Sequence, residues 1–219
     1  MPAIVFDMDG VLIDSERLVL KAWLHVGSQL GIPGLNELFY RAIGTTHAHT
    51  ATLFAETFGD SVDYLDFRDR VRAYFYNVLT VNGAPLKKGV RELLDWLKAE
   101  GWSIAIASST REAGVRLNME RTGLISYFDV IIGGDMLKVS KPAPDIYLRA
   151  CAELGADPRI SFAVEDSYNG IRSAHAAGMH ALMVPDMVPA NDEMRSLARA
   201  VLPDLLAVRD WLEAKERKA

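Results

Sequence analysis

One cysteine, Cys151, stands in a chain of 219 residues. No disulfide can close within it, and such thrift with cysteine fits a reducing compartment. Cys151 lies between Ala150 and Ala152 in a helical pattern, which marks a small buried residue rather than a nucleophile. Nowhere do about 18 apolar residues run uninterrupted, so no membrane-spanning helix is expected. The first apolar run ends at Asp7 and is too short for a signal peptide; cytoplasm is the expected location. Positive charge is also scarce, with 24 Lys and Arg against 29 Asp and Glu and a formal net charge of -5. No basic cluster occurs outside the last few residues, which argues against a nucleic-acid surface. Internal repeats and low-complexity tracts are missing too. What remains is half hydrophobic, ordinary for a globular chain and long enough to bury a core in one large domain or two small ones.

The opening strand carries the first sign of chemistry. Ile4-Val5-Phe6 is an apolar run of β-formers that stops at Asp7-Met8-Asp9-Gly10, two aspartates one residue apart followed by a turn-permitting glycine. In extended chain, residues i and i+2 point the same way, so both carboxylates can reach one pocket at the strand's carboxyl end. Ligands collect at that end in open α/β sheets. Two carboxylates held together repel, so either a proton sits on one or a divalent cation joins them to a third ligand. Three later stretches sit at equivalent places. Ser103–Ala107 runs into Ser108-Ser109-Thr110-Arg111 ahead of a helical pattern, and a helix N-terminus binds phosphate through free N–H groups and its dipole. Val139-Ser140-Lys141-Pro142-Ala143-Pro144 places one lysine in a proline-pinned loop. Ile160–Val164 ends at the acidic pair Glu165-Asp166, followed by Ser167, Asn169 and Gly170.

Periodicity sets out the domains. Strands and helices alternate from about residue 90 onward: helix 90–100, strand 103–107, helix 112–122, strand 130–133, helix 145–154, strand 161–164, helix 168–177 and strand 181–184. The fold class is therefore α/β, a doubly wound parallel sheet with right-handed crossovers. Between Ser15 and Pro85 the pattern is helical instead, as in Leu18, Ala22, Trp23, Val26 and Leu30 and in Phe67, Val71, Tyr74, Phe75 and Val78. That stretch reads as a small helical bundle inserted into the sheet domain. The expected division is residues 1–14 with 86–219 as a catalytic core and 15–85 as a helical cap, with hinges near 13–16 and 82–89.

The set Asp-x-Asp, Ser/Thr, Lys and acidic pair, in this order, resembles the haloacid dehalogenase-like hydrolase superfamily. The motifs Asp7-Met8-Asp9-Gly10-Val11-Leu12, Ser140–Asp145 and Glu165-Asp166-Ser167-x-x-Gly170-Ile171 carry the resemblance over nearly the whole chain. It is strongest to the branch of capped sugar-phosphate phosphatases and β-phosphoglucomutases, whose core is Rossmann-like. The resemblance implies Asp7 as a nucleophile forming an aspartyl-phosphate and Asp9 as general acid and base. It implies Mg²⁺ held by Asp7, the Asp9 carbonyl, Asp166 and Glu165, and Lys141 and Ser108 as further catalytic residues. Ser108, Ser109, Thr110 and Lys141 would hold the phosphoryl group, and Arg111, Thr45 and His47 are candidate contacts to the rest of the substrate. Lys87 and Lys88 are weaker candidates for an anionic group.

An Asp-x-Asp paired with Glu-Asp indicates phosphate-ester chemistry, because dehalogenation needs neither metal nor proton donor. Mutases of this branch carry a histidine where this chain has Val19 and an arginine where it offers His47. The expected activity is therefore hydrolysis of a small phosphomonoester such as a sugar phosphate. A β-phosphoglucomutase-like mutase is the alternative, and a non-catalytic phosphate-binding regulator a more remote one. The expected partner is a small phosphorylated metabolite, with no nucleic acid and no membrane, and the chain as a monomer or weak homo-oligomer.

Overall fold

In the computed structural model, which describes residues 3–43, 45 and 47–216, the chain divides into two compact units. One is built from the segments up to Asp14 and from Pro85 onward, the other from Ser15–Ala84.

The first unit is built on strand β1 (Ala3–Phe6), whose four residues are all fully buried. A strand with helices on both faces has no polar side, which is why this stretch reads as an unbroken apolar run. Five strands join it: β2 (Ser103–Ser108), β3 (Val130–Gly133), β4 (Phe162–Glu165), β5 (His180–Met183) and β6 (Ala200–Val201). All pair parallel, in the order β3-β2-β1-β4-β5-β6. The α/β class and the parallel sheet agree with the sequence reading, with element ends moved by a residue. The two-residue β6 adds a strand that the sequence did not announce, since Ala-Val is too short to show a period.

Alternate strand residues, Val5, Ala105, Ala107, Ala163 and Ala181, share one hydrophobic core with Tyr147 and Cys151 of α7 (Asp145–Leu154) and Ile171 of α8 (Tyr168–Ala176). On the helix α5 (Val90–Ala99), buried Val90, Leu93, Leu94 and Leu97 mark a stripe at helical spacing. It packs with α10 (Leu205–Glu216), whose Leu205, Val208 and Leu212 are buried. Helix α6 (Glu112–Arg121) follows β2, and α9 (Asp192–Leu197) precedes β6. Register then fixes the site. Phe6 pairs with Ile106 on one side and Val164 on the other, so Asp7 comes level with Ala107 and Glu165.

Just past β1 the chain turns back on itself. Leu12 N and Ile13 N both donate to Met8 O, and Gly10 takes a φ of 78° that a side chain would strain. The outgoing and returning limbs then run together: Ile13 bridges Leu86, Asp14 N donates to Pro85 O, and Lys87 N donates to Leu12 O. Lys87 and Lys88, considered as substrate contacts from sequence, are instead paired with Asp186 at 2.5 Å and Asp204 at 2.7 Å. They tie the returning limb to the loops after β5 and β6.

Among its described residues the second unit holds four α-helices, α1 (Ser15–Leu30), α2 (Leu35–Ala42), α3 (His47–Phe58) and α4 (Tyr64–Asn82), with a 3-10 turn at Gly59–Ser61 between the last two. Trp23 is its centre, with the rings of Phe39, Phe54 and Phe67 at 5.2 to 5.4 Å in edge-on contact. Gly27 lets α2 close in, because a Cβ there would stand 2.1 Å from Leu35 Cδ1. Asp63 caps α4 by accepting from the backbone N–H groups of Leu65 and Asp66.

Candidate active site

The carboxyl ends of β1, β2 and β4 bring the acidic motifs and the lysine together. Asp7 stands at the end of β1, its backbone N–H donating to Val164 O at 3.0 Å, and only 7% of it reaches solvent. Lys141 comes over from the loop before α7 and spends all three of its N–H groups. Its Nζ donates to Asp7 Oδ1 at 2.6 Å, to Glu165 Oε1 at 2.6 Å and to Ala107 O at 2.9 Å. A buried ammonium with three acceptors is fixed in direction, which suits a charge that must point at a reacting group.

Electrostatics follow from this crowding. Burial pushes the Asp7 carboxyl up to about 7, with Glu165 and Asp9 pushing the same way against the pull of Lys141. For Lys141, burial alone would favour loss of its proton, but Asp7 and Glu165 outweigh it and hold the ammonium above the ordinary lysine range. Asp7, Asp9, Glu165 and Asp166 bring four carboxyl groups to this end of the sheet, and Lys141 bridges two of them, Asp7 and Glu165. Oxygens of Asp7, Glu165 and Asp166 lie within 4.8 Å of one another. Hard carboxylate oxygens gathered this closely are the donor set a divalent cation takes, so the residues fit one.

Two glycines make this packing possible. A Cβ on Gly10 would stand 2.2 Å from Asp166 Oδ2, so the carboxylate lies directly against the turn after Asp9. A Cβ on Gly170 would stand 1.9 Å from the Glu165 carboxyl. Asp9 itself is half-buried and accepts from the Thr110 hydroxyl at 2.8 Å through Oδ2.

The remaining candidates fall into different places. Ser108 ends β2 fully buried, its Oγ accepting from Thr110 N at 3.1 Å, which leaves the hydroxyl proton to donate elsewhere. Ser109 is exposed beside it, and Thr110 is half-buried with its hydroxyl committed to Asp9. Arg111 stands at the N-cap of α6, its carbonyl accepting from Gly114 N and Val115 N, while its side chain is exposed and, among the described residues, in no hydrogen bond or ion pair. Thr45 belongs to the helical unit, where its hydroxyl donates to Ala42 O. It lines a cavity of about 650 Å³ together with Trp23, Phe67, Phe75, Glu16, Arg68 and Arg72. The side chain of His47 lies outside the described residues, as do Gly44 and Thr46.

Two participants escaped the sequence reading. Tyr147 is fully buried on α7 and its hydroxyl donates to Glu165 Oε1 at 2.8 Å. It sits among Ile146, Ala150 and Cys151, so its spacing marks it as core; the one signal was that a buried tyrosine hydroxyl needs an acceptor. Ser167, the cap of α8, donates to Glu165 Oε2 at 3.0 Å while accepting from Gly170 N.

The family profile described as haloacid dehalogenase-like hydrolase matches residues 4–184. A phosphorylated carbohydrates phosphatase of Thermotoga maritima is 33% identical over 183 residues, covering 82% of each chain. The β-phosphoglucomutase of Bacillus subtilis is 32% identical over 190 residues, covering 84% of this chain and 83% of its own. A solved hydrolase from Deinococcus radiodurans, with bound phosphate and sodium, superimposes with a TM-score of 0.82 at 28% identity over 97% of this chain and 95% of its own. The chain belongs to the haloacid dehalogenase-like hydrolase family, in its phosphatase and β-phosphoglucomutase-like branch, as a phosphoric monoester hydrolase.

Proposed function

We propose that this enzyme hydrolyses a small phosphomonoester, a sugar phosphate or similar metabolite, in two steps through an aspartyl-phosphate on Asp7, and that it needs Mg²⁺. The observation that carries the reading is Asp7 held by Lys141 beside Asp166, with Asp9 two residues on. In the first step an Asp7 oxygen attacks phosphorus, the bond from phosphorus to the ester oxygen breaks, and the departing alkoxide takes a proton from Asp9. In the second, Asp9 takes a proton from water, whose oxygen attacks the same phosphorus and returns Asp7 as a carboxylate with inorganic phosphate. The Thr110 hydroxyl keeps Asp9 turned to one side for both transfers.

An anionic nucleophile and a phosphate dianion repel by roughly 4 kcal/mol per unit-charge pair at 4 Å and an effective dielectric of about 20. Lys141 offsets part of that. Asp7, Asp166 and the Asp9 carbonyl would hold Mg²⁺, which supplies the rest by neutralising phosphoryl charge. The Ser108 hydroxyl and the Ser109 backbone N–H would bind phosphoryl oxygens, since the Glu112 and Gly114 N–H groups that open α6 are taken by Asp135 and Arg111 O.

The helical unit has a cavity of its own. Its cavity offers aromatic walls with Glu16, Arg68 and Arg72 among them, a lining suited to an apolar ring face edged with hydroxyls. The name of the Thermotoga relative supports a phosphorylated carbohydrate. The β-phosphoglucomutase relative keeps a mutase as the second reading, and Val19, where such mutases place a histidine, weighs against it. A panel of phosphorylated sugars, polyols and nucleotides with Mg²⁺, scored for phosphate released and for isomer formed, tests the choice. Isomer without phosphate would replace the phosphatase with the mutase.

A further inference from the structure

Glu165 is saturated by its own protein. Lys141 Nζ and Tyr147 OH donate to Oε1 at 2.6 and 2.8 Å. Asp166 N, Ser167 N and Ser167 Oγ donate to Oε2 at 3.1, 3.3 and 3.0 Å. These five donors meet a carboxylate with about four lone-pair sites. The residue is fully buried, and Gly170 is what makes room for it. Yet its oxygens stand close enough to those of Asp7 and Asp166 to join them around a cation. Two fates thus compete for one carboxylate: ligand to the cation, or anchor of Lys141.

We propose that Tyr147 is a positioning residue that decides this competition, holding Glu165 on Lys141 and away from the metal. The inference rests on the phosphatase reading for its consequence but not for its geometry. Tyr147 grips from two directions. Its hydroxyl fills the Oε1 site beside Lys141, and its ring lies 5.0 Å from Lys141 Nζ, within cation–π reach. Without the hydroxyl, Oε1 keeps one donor and gains a free lone pair in a buried place, where an unmet acceptor is unfavourable and a cation is the nearest remedy. Glu165 would then turn to the metal, giving tighter metal binding. Lys141, having lost its anchor, would be less well aimed at Asp7 and the phosphoryl group. Tight metal binding and fast turnover are in this way set against each other by one hydroxyl.

The test is Tyr147→Phe, which keeps the ring. Mg²⁺ and Ca²⁺ binding to substrate-free protein is measured by calorimetry. The expected result is at least threefold tighter Mg²⁺ binding than wild type, with a larger gain for Ca²⁺, whose roomier coordination welcomes a further carboxylate. With substrate, kcat is expected to fall about tenfold while KM stays within twofold. In a Glu165→Gln background the same substitution should change neither isotherm nor kcat further. Ser167→Ala, which removes a donor from the other oxygen, is a second variant expected to move the isotherm the same way by less. Wild-type isotherms in both variants, or Tyr147→Phe and Glu165→Gln effects that simply add, would overturn the proposal. Because the isotherms need no turnover, they judge Tyr147 even if wild type releases no phosphate.

Discussion

Asp7 and Asp9 differ by two positions in a strand-end run and by a whole chemistry in role. Asp7 is pinned by Lys141, whereas Asp9 answers to Thr110. If Asp9 carries the proton, Asp9→Asn should slow alkyl phosphates by about 10²–10⁴-fold and aryl phosphates far less, since a good leaving group scarcely needs protonation. Equal losses on both classes, in steady-state kinetics, would assign Asp9 to the metal or to the fold. Asp7 adds a pH signature. Burial raises its carboxyl to about 7, so below that pH a proton competes with Mg²⁺ for the same oxygen. The half-saturating Mg²⁺ concentration is expected to climb about tenfold per pH unit as pH falls below 7 and to level off above it. A flat dependence between pH 5 and 7 would remove Asp7 from the metal site. These residues were legible in sequence because each sits where a strand stops. The partners that hold them were not: Thr110 meets Asp9 across 101 positions and Tyr147 meets Glu165 across 18, and no spacing rule carries such contacts.

Elements explain why the motif glycines matter. Gly170 follows the acidic pair in the first turn of α8, and a methyl group there would drive into the Glu165 carboxyl. Gly170→Ala should therefore cost about 1–3 kcal/mol of stability as an overpacked site. It should also lower kcat well beyond what that loss explains, by displacing the anchor of Lys141. Thermal unfolding beside turnover checks both, and a variant that melts early yet keeps full kcat would separate Glu165 from the chemistry. Alternating strands and helices were readable because a two-residue and a 3.6-residue period look different over six or more positions. The stretch after β5 was not. Its strand is two residues long and gets its place from pairing with β5, a tertiary contact without a local sign. In the helical unit the apolar stripes on α1 and α4 were visible, while the cavity between their side chains depends on packing and could not be read.

Across the whole molecule, phosphatase and mutase differ in the fate of the phosphoenzyme. A hydrolase admits water to it once the alcohol leaves; a mutase must keep water out while a bisphosphate turns. Val19 lines the cavity of the helical unit, and its aliphatic side chain offers no second grip on phosphate. No interconversion of β-glucose 1-phosphate and glucose 6-phosphate is expected above the rate of phosphate release, and stimulation by a sugar bisphosphate would reverse that conclusion. The central claim, a covalent phosphoryl group on Asp7 that water then removes, is tested most directly by rapid acid quench of a single turnover with radiolabelled substrate. Label is expected on the protein within the first turnover, mapped to the peptide containing Asp7, absent in Asp7→Asn, and lost as phosphate without added sugar phosphate. Phosphate appearing in that burst with no labelled protein, or label on any other residue, would contradict it.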